Sequence, residues 1–315
     1  MSRPDALPGS GMPLVSILIP AFNHERFVRR CLDSVLEEPW PAKELVIIDD
    51  GSTDRTGERI TAWVAEHQAQ IPVRFVRRAN KGVAATLNEL AALARGEFLR
   101  LGASDDYFLP GGLHAQVGYL QAHPAKQAVV GDSIVVDRDG HQLHDSGMCD
   151  LHHADKRLYR TDEGIRRAVI GQWAVGGPVA LVRRRVLAQV GGWTEGLRID
   201  DWDFFLRLAA HDALGFVDVR VCAYRMHEGN LSKTRNVAAR VQNLSESRRV
   251  ARQRMALFEG ADRTLLRAQV QYIGAKIAFL RRQPFALVLH MAAWLALAAL
   301  ARVGLPGTHS IAEHA

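Results

Sequence analysis

Three pairs of adjacent aspartates, Asp49-Asp50, Asp105-Asp106 and Asp200-Asp201, are the groups best placed to do chemistry. The first pair closes an apolar run and leads into Gly51-Ser52-Thr53-Asp54. Two acids beside an apolar core are costly unless something pairs with them. A carboxylate there can accept hydrogen bonds from nucleobase N–H groups or a ribose hydroxyl. It can equally belong to a turn with solvated acids, Ser52 or Thr53 capping the next helix. The second pair sits in Ser104-Asp105-Asp106, where paired carboxylates suit a hard divalent cation such as Mg²⁺ or Mn²⁺; an exposed turn is the commoner cause of so short a motif. Such a cation would offset the charge of a leaving diphosphate. The third lies in Asp200-Asp201-Trp202-Asp203, the opening of a helical pattern. Acids in a first helical turn are favoured by the dipole, and one of them is also a candidate general base. His227, in a stretch reaching Asn230 and Ser232, follows a strand pattern and offers a metal ligand or an ordinary structural imidazole.

The surrounding patterns say how these acids are held. Strand-like runs at Leu14–Pro20, Glu44–Asp49, Val73–Val76 and Glu97–Leu101 alternate with helical patterns at Glu25–Glu38, Thr53–His67 and Val83–Ala94. This predicts a parallel sheet covered by helices on both faces, with ligands beyond the carboxyl ends of the strands. Both the Asp50 and the Asp105-Asp106 turns should then face one crevice. Further on, Ala128–Val136 and Gln142–Leu143 flank a hairpin signal at Asp137–Gly140. Gly176–Val182 reads as a strand, Arg183–Val190 as a helix, Asp201–Ala210 as a helix and Gly215–Tyr224 as a strand.

With 315 residues, 48% hydrophobic and 23% charged, the chain is globular and needs no disulfide or metal to build a core. Its cysteines, Cys31, Cys149 and Cys222, are odd in number and widely spaced. That argues against a disulfide framework or a cysteine zinc site and fits a reducing compartment. The net charge of +6 is uneven: Arg225 to Arg302 carries 14 Lys/Arg against 4 Asp/Glu. Residues 1–12 read as a flexible lead-in without the apolar run of a signal peptide, and 304–315 as a tail.

Taken together, the motifs resemble the family 2 glycosyltransferases with the GT-A fold. The resemblance runs from Leu14 to Ser232. Its markers are VSILIPAFN, ELVIIDDGSTD, NKGVAATLN, LGASDD, GGW, IDDWDF and YRMHEGNLS, in that order. It implies a GT-A-type, Rossmann-like and mostly parallel α/β sheet over 13–235; beyond it, the pattern of 236–303 reads as a helical extension. It implies an inverting transfer of sugar from a nucleoside-diphosphate sugar to a hydroxyl, in cell-surface polysaccharide or lipopolysaccharide synthesis. Asp201 matches the catalytic base. Asp50 matches the base-reading aspartate, with Pro20, Phe22, Glu25, Ser52, Lys81 and Asp105 at the nucleotide sugar. Asp106 and His227 match the metal ligands for Mn²⁺ or Mg²⁺, and Gly177, Trp193, Asp200 and Trp202 the acceptor side. One departure is Ser104, where many relatives carry a third acid.

The extension is arginine-rich from Asn236 to Arg282, then apolar from Phe285 to Ala301. Those 17 residues, apolar but for His290, would make a helix of about 25 Å, short of the roughly 30 Å hydrocarbon core. Attachment to an anionic membrane face is the leading expectation; a packed soluble helix and a short span are the others. No aromatic interleaving supports nucleic-acid binding. A lipid-linked or glycan acceptor and a cytoplasmic site at the inner membrane face are expected. The alternatives are a catalytically silent sugar-nucleotide binder and a nucleotidyltransferase. The latter would want a basic, glycine-rich triphosphate loop, which Ala21–Glu25 is not. No GxGxxG follows the first strand, which disfavours a nicotinamide dehydrogenase.

Overall fold

The computed structural model describes residues 11–171, 174–198, 200–230 and 236–303, with only the backbone of Asp200. Residues 1–10 of the expected lead-in, Ser232 and the tail 304–315 lie outside the described residues. The first half alternates as the periodicity predicts: β1 Val15–Ala21, α1 Val28–Glu37, β2 Lys43–Asp50, α2 Thr56–His67, β3 Val73–Arg78, α3 Val83–Leu93 and β4 Phe98–Leu101. β1 is buried at six of its seven positions because both of its faces are covered. Val15, Ile17, Ile19 and Ala21 join a core with Val28, Leu32 and Trp63. Leu18 points the other way, into a second core with Leu87, Phe205 and Leu208.

The remaining elements are β5 Tyr107–Phe108, α4 Gly112–Ala122, β6 Ala128–Val136, β7 Gln142–His144, α5 Asp162–Gly171, β8 Ala180–Arg183, α6 Val186–Val190, α7 Asp200–Ala210 and β9 Leu214–Arg225. The strands form one sheet in the order β3-β2-β1-β4-β8-β6-β9-β5, with β7 paired to β6. It is parallel through β3-β2-β1-β4 and again at β6-β9. Pairings β4-β8, β8-β6, β6-β7 and β9-β5 are antiparallel. The parallel character therefore belongs to the first half, and the second half makes the sheet mixed. The strand expected from Gly176 starts only at Ala180. Gly177–Val179 is a 3₁₀ turn, as suits Pro178, whose nitrogen cannot donate to a ladder. The helix expected over Arg183–Val190 shortens to Val186–Val190, because Arg183 closes β8.

Three helices complete the described chain: α8 Val237–Gln253, α9 Gly260–Leu280 and α10 Pro284–Val303. α9 is anchored in the second core by Leu266, Val270 and Ile273. Its first turn is pinned by Asp262 to Arg166 of α5 at 2.7 Å. Arg254, just after α8, pairs with Asp203 of α7 at 2.6 Å. The extension is thus fastened to the sheet domain by buried apolar and ionic contacts.

Candidate active site

The carboxyl ends of β1, β2 and β4 are stitched together by their loops. Asn23 takes a left-handed conformation (φ +54°), which asparagine tolerates better than most residues. Its amide donates to Ser52 Oγ at 3.0 Å, and its side-chain oxygen accepts from Thr53 N at 2.8 Å. The amide of Glu25 donates to Asp54, and Glu25 Oε2 accepts from Arg55 N at 3.1 Å. Ser52 and Glu25, expected at the nucleotide, therefore tie one loop to the next.

Asp50 is held from three sides. Arg78 forms an ion pair with Oδ1, the amide of Lys81 donates to Oδ1 at 2.8 Å, and that of Gly82 donates to Oδ2 at 3.0 Å. Arg78 is itself fixed by Glu89 and Thr86. Lys81 serves Asp50 through its backbone, while its exposed ammonium lies 3.6 Å from Glu89. Gly51 makes this approach feasible: at φ +78°, a Cβ there would stand 2.6 Å from the amide nitrogen of Asn80.

At the end of β4, Asp105 Oδ2 lies 3.0 Å from His227 Nε2 and 3.7 Å from His24 Nε2. One ligand atom from each of the three side chains falls within 4.8 Å of the others. His24 Nδ1 is 2.8 Å from Ser104 Oγ. With the proton on Nδ1, that contact leaves the Nε2 lone pair facing Asp105. The carboxylate next to His227 is therefore Asp105, whereas Asp106, the expected metal ligand, accepts the Arg225 amide at 2.8 Å through Oδ1. The two acids differ in acidity. Burial opposes charge on Asp105, but the hydrogen bond from His227 and the fields of His24 and His227 outweigh it and hold its carboxyl below the usual range. Burial first, and then the charge of Asp105, push Asp106 well above that range.

These groups open into one cleft of 1230 Å³, whose lining includes Pro20, Phe22, Asp50, Asp105, Asp106 and His227 together with Gly177 and Asp201. Asp201 stands in the first turn of α7 and accepts the amide of Trp202 at 2.7 Å. The expected acceptor-side aromatics do not reach the cleft. Trp202 is buried, its indole N–H donating to Val169 O at 2.8 Å. Trp193 is buried against Phe204, with ring centroids 4.8 Å apart, and its backbone is clamped at both N and O by Asn88. Both aromatics belong to the core that carries α7. The side chain of Asp200 lies outside the described residues. Sequence reasoning missed His24, whose only signal was an imidazole immediately after the first strand. It also missed the part of the cleft lining formed by Tyr272, Lys276 and Leu280 of α9 with Leu287 and Met291 of α10.

Comparison with known proteins agrees with this architecture. Residues 16–191 match the model of Glycosyl transferase family 2. Over 146 residues, 46% of this chain, the sequence is 32% identical to a chondroitin synthase of Escherichia coli, and the match spans 21% of that protein. The fold resembles S. aureus TarS solved with UDP-GlcNAc, with TM-score 0.62 and 16% identity over 92% of each chain. It also resembles mannosyltransferase PcManGT from Pyrobaculum calidifontis, solved with GDP-Man and Mn²⁺. There the TM-score is 0.59 and the identity 21%, over 91% of this chain and 75% of that one. The architecture is that of GT-A glycosyltransferases, and this chain belongs to Glycosyl transferase family 2.

Proposed function

We propose that the protein transfers a sugar from a nucleoside-diphosphate sugar to an acceptor hydroxyl with inversion at the anomeric carbon, in the assembly of a cell-surface polysaccharide or lipopolysaccharide. The observation that carries this reading is the shared cleft: Asp50, the Asp105–His227–His24 cluster and Asp201 all line it. Asp50, already oriented by Arg78 and two amides, accepts from the base or ribose. Asp201 takes the proton of the attacking hydroxyl. A 1230 Å³ cleft exceeds the roughly 300–1000 Å³ usual for one small ligand, and so has room for donor and acceptor together.

The donor set fits a divalent cation. One carboxylate and two imidazole nitrogens suit Mn²⁺ better than Mg²⁺, which prefers an all-oxygen shell. With its proton on Nδ1, His24 offers Nε2 as an acceptor, whereas Asp105 Oδ2 already accepts from His227 Nε2. His227 accepts Gly229 N–H at Nδ1 over 3.2 Å, so ligation through its Nε2 requires that contact to be given up. When bound, the cation would supply charge to the diphosphate leaving group. His24, Asp105 and His227 would hold it, and Ser104 orients His24 in place of the third acid that many relatives carry.

The relatives and neighbours supply the substrate classes: UDP-GlcNAc for TarS, GDP-Man and Mn²⁺ for PcManGT. The cleft lining contributed by α9 and α10 is apolar at Leu280, Leu287 and Met291 and basic at Lys276, which supports a lipid-linked acceptor. We place the catalytic unit at 13–235 and a membrane-contacting extension at 236–303, with the enzyme on the cytoplasmic face of the cell membrane. The test is Asp201→Asn. The amide oxygen keeps the bond from Trp202 N, so nucleotide-dependent thermal stabilisation should persist while transfer falls by about 10²–10⁴-fold. Wild-type turnover in the variant would remove Asp201 as the base.

A further inference from the structure

α10 inverts the usual arrangement of a helix on a soluble domain. Phe285, Val288, Leu289, Ala292, Leu295, Ala296, Ala299, Leu300 and Val303 recur at helical spacing, the positions that ordinarily face a core, and here all are exposed. Phe285 is 87% and Val303 82% exposed, and the stripe carries no ionisable group. The opposite side rests on α9, where Gly274 admits the His290 ring so closely that a Cβ would stand 2.9 Å from it. By length and composition α10 could cross a membrane. Yet α9 is tied into the sheet domain by Leu266 and the Asp262–Arg166 pair, and it exposes Arg263, Arg267 and Lys276. Threading α10 with α9 packed along it would carry those charges into hydrocarbon, whereas a helix lying on the surface leaves them in water.

Beside the first turn of α10, a 320 Å³ hollow is lined by Arg248, Arg249 and Arg252 of α8, Arg281 after α9, and Ile277. Among the described residues only Arg249 has a carboxylate within reach, Glu246 at 4.0 Å, and Arg252 and Arg281 are exposed without ion pairs. Arg248 leans on the His290 ring at 3.5 Å, and its Nε is buried with no hydrogen-bond partner among the described residues. Burial first, and then the neighbouring Arg252, lower the Arg248 pKa.

We propose that this arginine hollow seats the phosphate of an anionic phospholipid while the exposed stripe of α10 enters the acyl region of the same leaflet. Position and charge complement each other: Arg281 stands four residues before Phe285, where the stripe begins, and Arg248 of the hollow reaches His290 of α10. Guanidinium groups match phosphate oxygens in geometry as well as charge. The inference rests on the reading of 236–303 as membrane-contacting, and on nothing in the chemistry of the cleft.

The test is flotation of the full chain with vesicles of phosphatidylcholine, with or without phosphatidylglycerol. Wild type should bind the phosphatidylglycerol vesicles more tightly, and less so as salt rises. Arg252→Ala/Arg281→Ala alters exposed, unpaired residues. It should weaken that preference by about 25-fold, from roughly fivefold per arginine, with an unchanged melting temperature. Leu289→Glu should lose binding to both kinds of vesicle. If Leu289→Glu loses binding while the arginine pair variant binds like wild type, the membrane reading stands and the phosphate seat is wrong. Equal binding to both vesicle types, or none to either, overturns the proposal. So does stabilisation by glycerol phosphate without vesicle binding, which would make the hollow a site for soluble anions. A lipid-free dimer broken by Leu289→Glu would assign the stripe to a second copy, with the same consequence.

Discussion

Replacing Arg254 by alanine tests the link between the extension and the catalytic helix. Asp203 is 1% exposed. It accepts from Arg254 Nε at 2.6 Å and from the same guanidinium again at 3.1 Å. Thr194 Oγ1 at 2.8 Å and Arg207 at 3.1 Å complete its shell. Alanine removes two charge-assisted bonds from a buried carboxylate and leaves the other two partners. At about 1.5 kcal/mol for each lost bond, the cost is about 3 kcal/mol. For a chain of this size that corresponds to a fall of about 6 °C in Tm, read by calorimetry. The pH dependence gives an independent check. Burial opposes the Asp203 charge, but the bonds from Arg254 and Thr194 and the fields of Arg207 and Arg254 hold its carboxyl below the ordinary value. A depressed carboxyl contributes stability above its unfolded pKa of about 3.9 and loses it as pH falls through the lower folded value. The gap between wild type and variant should therefore be full at neutral pH and close in strong acid. Arg254→Lys should recover part of the loss, since an ammonium cannot reproduce the two-nitrogen contact. A variant melting within about 1 °C of wild type, with the same acid profile, would show that Arg207 alone neutralises Asp203 and would refute the reasoning.

His24→Ala should weaken Mn²⁺ binding at least about tenfold, measured by calorimetric titration of the full chain; wild-type affinity would take His24 out of the metal site. Trp202→Phe should cost about 1–2 kcal/mol in urea unfolding, because it leaves the Val169 carbonyl buried without its donor. The same variant should leave the acceptor KM unchanged, and a selective rise in that KM would return Trp202 to the acceptor side.

What the sequence made legible, and what it did not, follows from how each feature is encoded. The alternation from β1 to β4 is written in local periodicity, because strands buried on both faces must be continuously apolar and their crossover helices must show an apolar stripe. The acids at the ends of β2 and β4 were readable for the same reason: a strand end is a fixed place, and in such a sheet it faces the crevice. Periodicity carries less in the second half. β5 is two residues long, and α4 opens at Gly111 in a left-handed conformation without a side-chain cap. α5 keeps Ile165, Ala168 and Val169 inside while its Arg166 reaches both Asp212 and Asp262 elsewhere in the chain. The site itself divides along the same line. That Asp105 rather than Asp106 faces His227 depends on the Arg225 amide, which claims Asp106 from 119 residues away. The loss of a third acid at Ser104 reads in sequence as a weakened metal turn. In space Ser104 orients His24, so a donor absent from one loop arrives from another. Trp193 and Trp202 show the opposite error. Beside acids and glycines they look like acceptor contacts, yet Asn88 clamps one and Val169 O pairs the other, and both serve to hold α7 and Asp201 at the cleft. Residue type and spacing thus identify which groups have chemical capacity, while partners distant in the chain decide which of them face the substrate.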